Sequence, residues 1–141
     1  GIMSYAVKYA SQFYGPFRDA SSGAPKQGGR EHYQMNPPQA QEALREAAQD
    51  VAQGTDFLMV KPAHTYLDVI YRVKQQHPQV PLVAYHVSGE YAMLHAAKQQ
   101  GLINDLALAT FEVLHAIVRA GADQLISYQA CQVALWIKDA Y

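Results

Sequence analysis

Two lysines stand where apolar, strand-forming stretches end, and a lysine in such a position can carry out carbonyl chemistry. Lys61 follows the apolar run Phe57–Val60 and precedes Pro62, and Lys8 closes a similar stretch that begins at Ile2. Four consecutive apolar residues predict a strand buried on both faces, as in a parallel sheet covered by helices. In parallel α/β barrels, active sites lie at the carboxyl ends of the strands.

Both lysines are therefore candidate nucleophiles. Removing an ammonium group from water disfavours its charged form, and a second ammonium in the same cleft lowers the pKa further. A neutral amine attacks a carbonyl carbon and forms a Schiff base. The alternative is that Lys8 and Lys61 are unrelated surface lysines that close their strands, and the presence of both favours the first interpretation.

The bulk properties predict one soluble globular unit. The chain has 141 residues, 50% of them hydrophobic, and a formal net charge of -1, which argues against nucleic-acid or anionic-membrane partners. No apolar run approaches the roughly 20 residues that span a bilayer, and no signal peptide is recognisable. The single cysteine, Cys131, cannot form an internal disulfide and fits a reducing, cytoplasmic location.

Strand and helix patterns alternate along the chain and predict four βα units. Alternation of this kind indicates a parallel sheet, and four units correspond to half of a (β/α)₈ barrel, which typically needs about 250 residues. Gly54 precedes Lys61 by the same spacing as Gly121 precedes Tyr128, which predicts equivalent positions for Lys61 and Tyr128. Residues 13–36 contain a stretch rich in Gly, Ser and Pro and are expected to form a lid loop.

The expected element positions follow from periodicity and from glycine and proline signals. Further strands are expected at Val80–Tyr85 and Gln124–Tyr128. Helices are expected over about residues 39–53, around Leu67–Val73, from a cap at Ser88, from Asn104 or Asp105 to Gly121 with Leu108, Phe111, Leu114, Ile117 and Val118 as its apolar residues, and over the last residues of the chain.

Five ordered motifs resemble the porphobilinogen synthase (5-aminolevulinate dehydratase) family. They are Ser4–Ser11 continued by Phe13–Arg18, then Tyr33–Pro37, Met59–Pro62, Val87–Met93 and Arg119–Asp123. The resemblance runs over essentially the whole chain but covers only the carboxyl-terminal half of the enzyme. It implies a member of the (β/α)₈ TIM-barrel class in which residues 1–141 are the last four βα units. It also implies condensation of two 5-aminolevulinate molecules to porphobilinogen, in tetrapyrrole and heme biosynthesis.

The resemblance also implies roles for particular residues. Lys8 and Lys61 correspond to the two Schiff-base lysines, one for each substrate. Arg18 and Arg30 match basic residues that hold a substrate carboxylate, for which a guanidinium fork is suited. Gln34 matches a lid residue near the same substrate.

Three hydroxyl-bearing residues complete the implied pocket. Ser88 and Tyr128 match the hydroxyls that hold the carboxylate of the other substrate, and Tyr85 is expected to line the pocket. The residues alone leave simpler alternatives open, in which Ser88 is only a helix cap and Tyr128 only a core residue.

The resemblance implies metals and partners as well. Glu46 matches the acid that binds an allosteric magnesium ion in bacterial members; the alternative is an exposed helical glutamate near Arg45 and Glu42. The catalytic metal of the family, zinc or magnesium, belongs to the amino-terminal half, outside this chain. The expected partners are 5-aminolevulinate and either further copies, as in the family octamer, or a chain that supplies the other half.

Two other functions stay open. One is a non-catalytic half barrel, a fragment or degenerate paralogue that associates with itself or a partner through open sheet edges. The other is a different, aldolase-like Schiff-base enzyme that uses Lys61 alone. Arg18, Arg30, Ser88 and Tyr128 favour the synthase over the aldolase because they specify two carboxylate sites. The short length favours an inactive half barrel for the isolated chain.

Overall fold

Four parallel strands form one sheet in the computed structural model, and their order in the sheet is their order in the chain. The structure describes residues 1–20 and 34–140, with the side chains of Arg18 and Ala140 outside the description. The strands are β1 Met3–Lys8, β2 Phe57–Lys61, β3 Leu82–His86 and β4 Gln124–Ser127. The prediction of a parallel α/β half barrel is confirmed.

Helices follow every strand. They are α1 Gly15–Ala20, α2 Ala40–Ala52, α3 Leu67–Gln76, α4 Ser88–Gln99, α5 Leu106–Ala120 and α6 Ala130–Ala140, with short 3₁₀ turns at Gln12–Tyr14 and His64–Tyr66. No helix among the described residues is long and apolar enough to cross a membrane.

Local signals set the helix ends where the sequence predicted them. Gly54, with a φ of 89°, follows the end of α2. Asp105 caps α5 because its side chain accepts a hydrogen bond of 2.9 Å from the amide of Leu108. Gly121 ends α5 with a φ of 121°, a conformation that side chains other than glycine rarely adopt.

The main core lies between the sheet and its helices. Alternate residues of the strands, among them Val7, Leu58, Val60 and Leu82, are at most 1% exposed and belong to this core. Because side chains alternate across a strand, Lys61 lies on the opposite face of β2, away from the helices. The helical side of the core is formed mainly by Ala43, Ala47, Ile70, Val73, Leu114 and Ile117.

Two apolar residues of α5 lie outside the core. Leu108 and Val118 are 69% and 50% exposed. The buried residues of α5 are Thr110, Leu114 and Ile117. Their spacing follows one helical stripe, with Leu108 on the opposite side of the helix and Val118 at the edge of the stripe.

The expected lid loop begins as helix. Residues 12–20 form a 3₁₀ turn and α1, and the turn starts where the Ser11 side chain accepts a hydrogen bond from the amide of Phe13. Residues 21–33 of the expected lid lie outside the described residues.

Candidate active site

The two candidate nucleophiles end neighbouring strands at the same level. Lys8 pairs in register with Lys61, and the amide of Tyr9 donates a 3.0 Å hydrogen bond to the carbonyl of Lys61. A cis peptide bond joins Lys61 to Pro62, which has no amide donor and so cannot continue the ladder. Both lysines therefore open onto one rim of the sheet.

Tyr85 and Tyr128 stand on the same rim. Val60 pairs with Ala84, so Tyr85 is next to Lys61, and Tyr85 itself pairs with Ile126. Tyr128 lies two residues beyond the β4 residue that is in register with Lys61. Within their own units the two positions still correspond, because β2 and β4 begin three residues after Gly54 and Gly121. The side chains of Tyr85 and Tyr128 line the same cleft, and their ring centroids are 6.2 Å apart.

A cleft of about 240 Å³ opens between these side chains. Its walls include the two lysines and both tyrosines of the rim, together with aromatic residues from β1 and the segment after it. The complete lining is Tyr5, Lys8, Tyr14, Phe17, Gln34, Lys61, Tyr85, Val87, Ser88 and Tyr128. Of the other expected site residues, Arg30 and the side chain of Arg18 lie outside the description, and Glu46 lies outside this cleft.

The Lys61 amine has the environment expected of a nucleophile. Burial, and next the Lys8 ammonium, lower the pKa of Lys61 from 10.5 to about 8. The Lys61 Nζ lies 4.0 Å from the ring centroid of Tyr5 and 5.5 Å from that of Tyr85. At these distances the aromatic rings also stabilise the ammonium form of Lys61.

Lys8 is backed by Tyr14. The Lys8 Nζ lies 5.6 Å from the Tyr14 ring centroid. The Tyr14 hydroxyl is within hydrogen-bonding distance of two carbonyl oxygens, 3.0 Å from that of Tyr9 and 3.2 Å from that of Lys61. Tyr14 thus ties together the ends of β1 and β2.

Tyr85 supplies a hydroxyl that stays protonated. Burial, and next a hydrogen bond with Tyr128, raise the pKa of Tyr85 to about 12. A phenol with such a pKa is a hydrogen-bond donor at neutral pH rather than a base. Tyr128 is 48% exposed, so the interpretation of it as a core residue is not supported.

Ser88 lines the cleft but does not cap α4, so that prediction was wrong. The residue before the helix is Val87, and Ser88 is the first helical residue. The Ser88 Oγ accepts a hydrogen bond of 3.2 Å from the amide of Phe17 and donates one of 3.3 Å to the carbonyl of Phe13. Ser88 therefore attaches the start of α4 to the segment that follows β1.

Close packing supports the same attachment. A side chain at Gly89 would place its Cβ 2.5 Å from the Phe13 carbonyl oxygen, which is too close for any atom pair of this kind. Only glycine allows Phe13 to approach α4 this closely, and Phe17 is thereby brought to the wall of the cleft.

Sequence reasoning missed Tyr5, although it stands close to Lys8. Strict alternation along β1 places Tyr5 and Lys8 on opposite faces. The register of β1 shifts between Ser4 and Val7, as at a β-bulge, and Tyr5 lines the cleft with Lys8. Tyr14, Phe17 and Val87 lie inside the motifs Phe13–Arg18 and Val87–Met93, but their residue types alone indicate no role.

Glu46 borders a second cavity, of about 400 Å³, beside Glu42, Asp50, Lys8 and Gln34. The Asp50 carboxylate is already engaged, because it accepts a hydrogen bond from the Ser4 hydroxyl. Among the described residues, no three side chains of metal-binding type come close enough to hold an ion together. Glu46 could thus supply one carboxylate ligand, with water completing the coordination.

The chain is similar to proteins of one family. The family model described as "Delta-aminolevulinic acid dehydratase" matches residues 1–136. The delta-aminolevulinic acid dehydratases of Bacillus subtilis (strain 168) and Bos taurus are 51% and 49% identical over 138 residues, 98% of this chain and 42% of each relative. The chain thus spans about two fifths of the length of these relatives.

A solved structure shares the fold. It is delta-aminolevulinic acid dehydratase (porphobilinogen synthase) from Toxoplasma gondii ME49 in complex with the reaction product porphobilinogen. The TM-score is 0.93 with 47% sequence identity, and the match covers 99% of this chain and 40% of the other.

Proposed function

This chain belongs to the delta-aminolevulinic acid dehydratase family, and we propose that it carries the Schiff-base portion of a porphobilinogen synthase active site. The observation that carries the proposal is the pair Lys8 and Lys61, in register on adjacent parallel strands, with the pKa of Lys61 lowered to about 8. The proposed substrate is 5-aminolevulinate and the proposed product of the whole enzyme is porphobilinogen.

In the proposed first step, the neutral Lys61 amine attacks the ketone carbon of one 5-aminolevulinate. A proton moves from the nitrogen to the former ketone oxygen, and loss of one water molecule leaves a carbon–nitrogen double bond. Lys8 forms the corresponding imine with the second substrate. The Tyr85 hydroxyl, protonated at neutral pH, is positioned to donate a hydrogen bond into the same cleft.

The remaining site residues serve the substrate carboxylates in this proposal. Ser88 and Tyr128 hold one carboxylate through their hydroxyls, which requires the Ser88 Oγ to exchange a backbone partner for the ligand. Arg18 and Arg30 hold the other, and Gln34 lies near the same substrate. Support for these roles comes from the resemblance and, for Gln34, Ser88 and Tyr128, from their place in the cleft lining.

Metals and partners in the proposal lie largely outside the chain. The resemblance implies a catalytic zinc or magnesium on residues elsewhere, which when bound would help to hold one substrate. Glu46 is the proposed ligand of an allosteric magnesium ion. We place the activity in the cytoplasm, a reducing compartment that the single cysteine fits. We also propose an assembly, either a homo-oligomer or a complex with a chain that supplies the other half barrel, because β1 and β4 are the end strands of the described sheet.

Imine trapping tests the lysine assignment directly. Incubation with 5-aminolevulinate and borohydride converts an imine into a stable amine, and peptide mass spectrometry locates the modified lysine. Adducts are expected on Lys61 and Lys8, and Lys61→Arg should abolish the one on residue 61 because guanidinium stays protonated. The matched control Lys98→Arg changes an exposed lysine of α4 and should leave trapping unchanged.

Two outcomes decide between the candidate functions. Uniform labelling of all surface lysines, with no preference for Lys61, would refute the Schiff-base proposal and leave a non-catalytic half barrel. Adduct formation without porphobilinogen release is the expected result for this chain alone, because joining two substrates requires both to be held together. Metal-independent porphobilinogen synthesis by the pure chain would contradict that expectation.

A further inference from the structure

A buried glutamate outside the assigned site connects two walls of the cleft. Glu90, the third residue of α4, is 0% exposed. Its Oε1 accepts a hydrogen bond of 2.7 Å from the amide of His64. Its Oε2 accepts from the amide of Val87 at 2.9 Å and from the amide of Ala63 at 3.3 Å. One carboxylate therefore satisfies three backbone donors from two different segments.

One of these segments follows β2, the strand that ends at Lys61, and the other precedes Ser88. Ala63 and His64 come directly after the Lys61–Pro62 peptide, and Val87 lines the cleft. Pro62 has no amide, so the first two donors available after β2 are those of Ala63 and His64. Both donate to Glu90, which fixes the backbone within three residues of Lys61.

Opposing effects act on the Glu90 carboxyl group. Burial raises the pKa of Glu90, and the hydrogen bonds from the three amides and the nearby His64 oppose that effect. The amino-terminal end of α4 also favours a negative charge at this position. Each buried amide would lack a partner if the carboxylate were removed, and such loss is costly.

We propose that Glu90 is a positioning residue for the Lys61 amine: its carboxylate holds the backbone after β2 to the start of α4 and so sets the direction and burial of Lys61. The inference rests on the proposed function, in which Lys61 is a Schiff-base nucleophile. Lys8 does not depend on Glu90 in the same way. The Lys8 carbonyl is held by the amide of Met35 at 3.0 Å, on the far side of β1 from α4.

This difference separates positioning from general stability. Partial unfolding would reduce imine formation at Lys8 and Lys61 equally. Loss of positioning lowers trapping at Lys61 selectively, so the ratio of the Lys61 adduct to the Lys8 adduct in one sample is the informative quantity. Since a displacement of about 1 Å at a reacting group can cost up to about 100-fold in rate, a fall of about tenfold in this ratio is expected for Glu90→Gln.

The experiment compares wild type, Glu90→Gln, Glu90→Asp and the control Glu112→Gln, which changes an exposed glutamate of α5. Adduct ratios are measured after trapping with 5-aminolevulinate and cyanoborohydride. The pKa of Lys61 is measured without substrate by NMR of ¹³C-methylated lysines. Glu90→Gln should lower the ratio and raise the Lys61 pKa toward 10.5, Glu90→Asp should restore part of both, and Glu112→Gln should change neither.

The two readouts keep this inference distinct from the proposed function. If wild type forms no Lys61 adduct but Glu90→Gln still raises the Lys61 pKa, the proposed function fails and the positioning role stands. An unchanged Lys61 pKa together with an unchanged adduct ratio in folded Glu90→Gln would overturn the positioning role. If Glu90→Gln does not fold, amide hydrogen exchange in wild type decides: Ala63 and His64 should exchange as slowly as β2, and rapid exchange would overturn the inference.

Discussion

The titration of Lys61 is the measurement on which the proposed chemistry depends most directly. With a pKa of about 8, about one Lys61 amine in 11 is neutral at pH 7, whereas a pKa of 10.5 leaves about one in 3,000. The cleft therefore raises the reactive fraction by roughly 300-fold. Replacing Lys8 by Met removes the neighbouring charge but leaves burial, the larger of the two causes.

The expected effect of Lys8→Met has a definite sign and an upper limit. The pKa of Lys61 should rise, because a like charge that disfavoured the ammonium form is gone. It should stay clearly below 10.5, because the neighbouring charge is the smaller cause and accounts for less than half of the lowering. The neutral fraction of Lys61 at pH 7 should accordingly fall by less than about 20-fold rather than by the full 300-fold.

The assay is the NMR titration of ¹³C-methylated lysines between pH 6 and 11, with Lys61→Arg used to assign the resonance. Lys98→Met is the matched control, since it removes an exposed lysine of α4, and it should leave the Lys61 titration unchanged. A Lys61 midpoint near 10.5 in wild type would refute the nucleophile argument. An unchanged midpoint in Lys8→Met would show that the two ammonium groups do not share one cleft.

Three further changes test the packing around the site. Burial, and next a neighbouring histidine, lower the pKa of His86 from 6.5 to about 4, so between these values the unfolded chain binds a proton that the folded chain does not. The contribution of His86 to stability is therefore complete above about pH 6.5 and is lost as the pH falls toward 4. In urea unfolding, acidification from pH 7 to 5 should cost wild type about 2 kcal/mol more than it costs His86→Gln. Asp123→Asn should cost about 1 kcal/mol, since a neutral amide weakens the charge-assisted hydrogen bonds that the carboxylate accepts from the Leu82 amide at 2.7 Å and from the Lys74 amine at 2.8 Å. Gly89→Ala should cost about 1–3 kcal/mol in the same assay, because the new Cβ would meet the Phe13 carbonyl.

Each of these changes has a matched control. His115→Gln and Asp139→Asn alter exposed residues, and Gly15→Ala adds a Cβ with no atom within 4 Å. Stability that responds to acid equally in wild type and His86→Gln would show that His86 is not the group that titrates. Costs for Asp123→Asn or Gly89→Ala no larger than those of their controls would contradict the contacts on which these predictions depend.

The fold could be predicted because its signals are local. The apolar runs that end at Lys8 and Lys61, and the glycines that end α2 and α5, mark strands and helices without reference to the rest of the chain. The errors arose where tertiary contacts decided. The helix α5 is apolar on more than one side, and its contacts with the rest of the fold decide that Leu114 is buried while Leu108 and Val118 are exposed.

The site was predicted less completely, for similar reasons. Alternation along β1 does not predict that Tyr5 faces Lys61. The register shift that brings it there depends on the partner strand and leaves no clear mark in the sequence. Serine commonly caps helices, but the N-cap of α4 is Val87, whose amide donates a hydrogen bond to the carboxylate of Glu90. The serine hydroxyl was thereby left for the segment after β1.

The contacts around the cleft explain why this part of the chain could hold two amines in place by itself. Tyr14 joins the ends of β1 and β2, and Ser88 and Gly89 attach the following segment to α4. Glu90 joins α4 back to the residues after Lys61. These links close a ring of contacts around Lys8 and Lys61 that lies wholly within the described residues. In the proposed function this ring places the two amines, whereas joining two substrates also requires the carboxylate-binding residues and the metal that the resemblance places outside this chain.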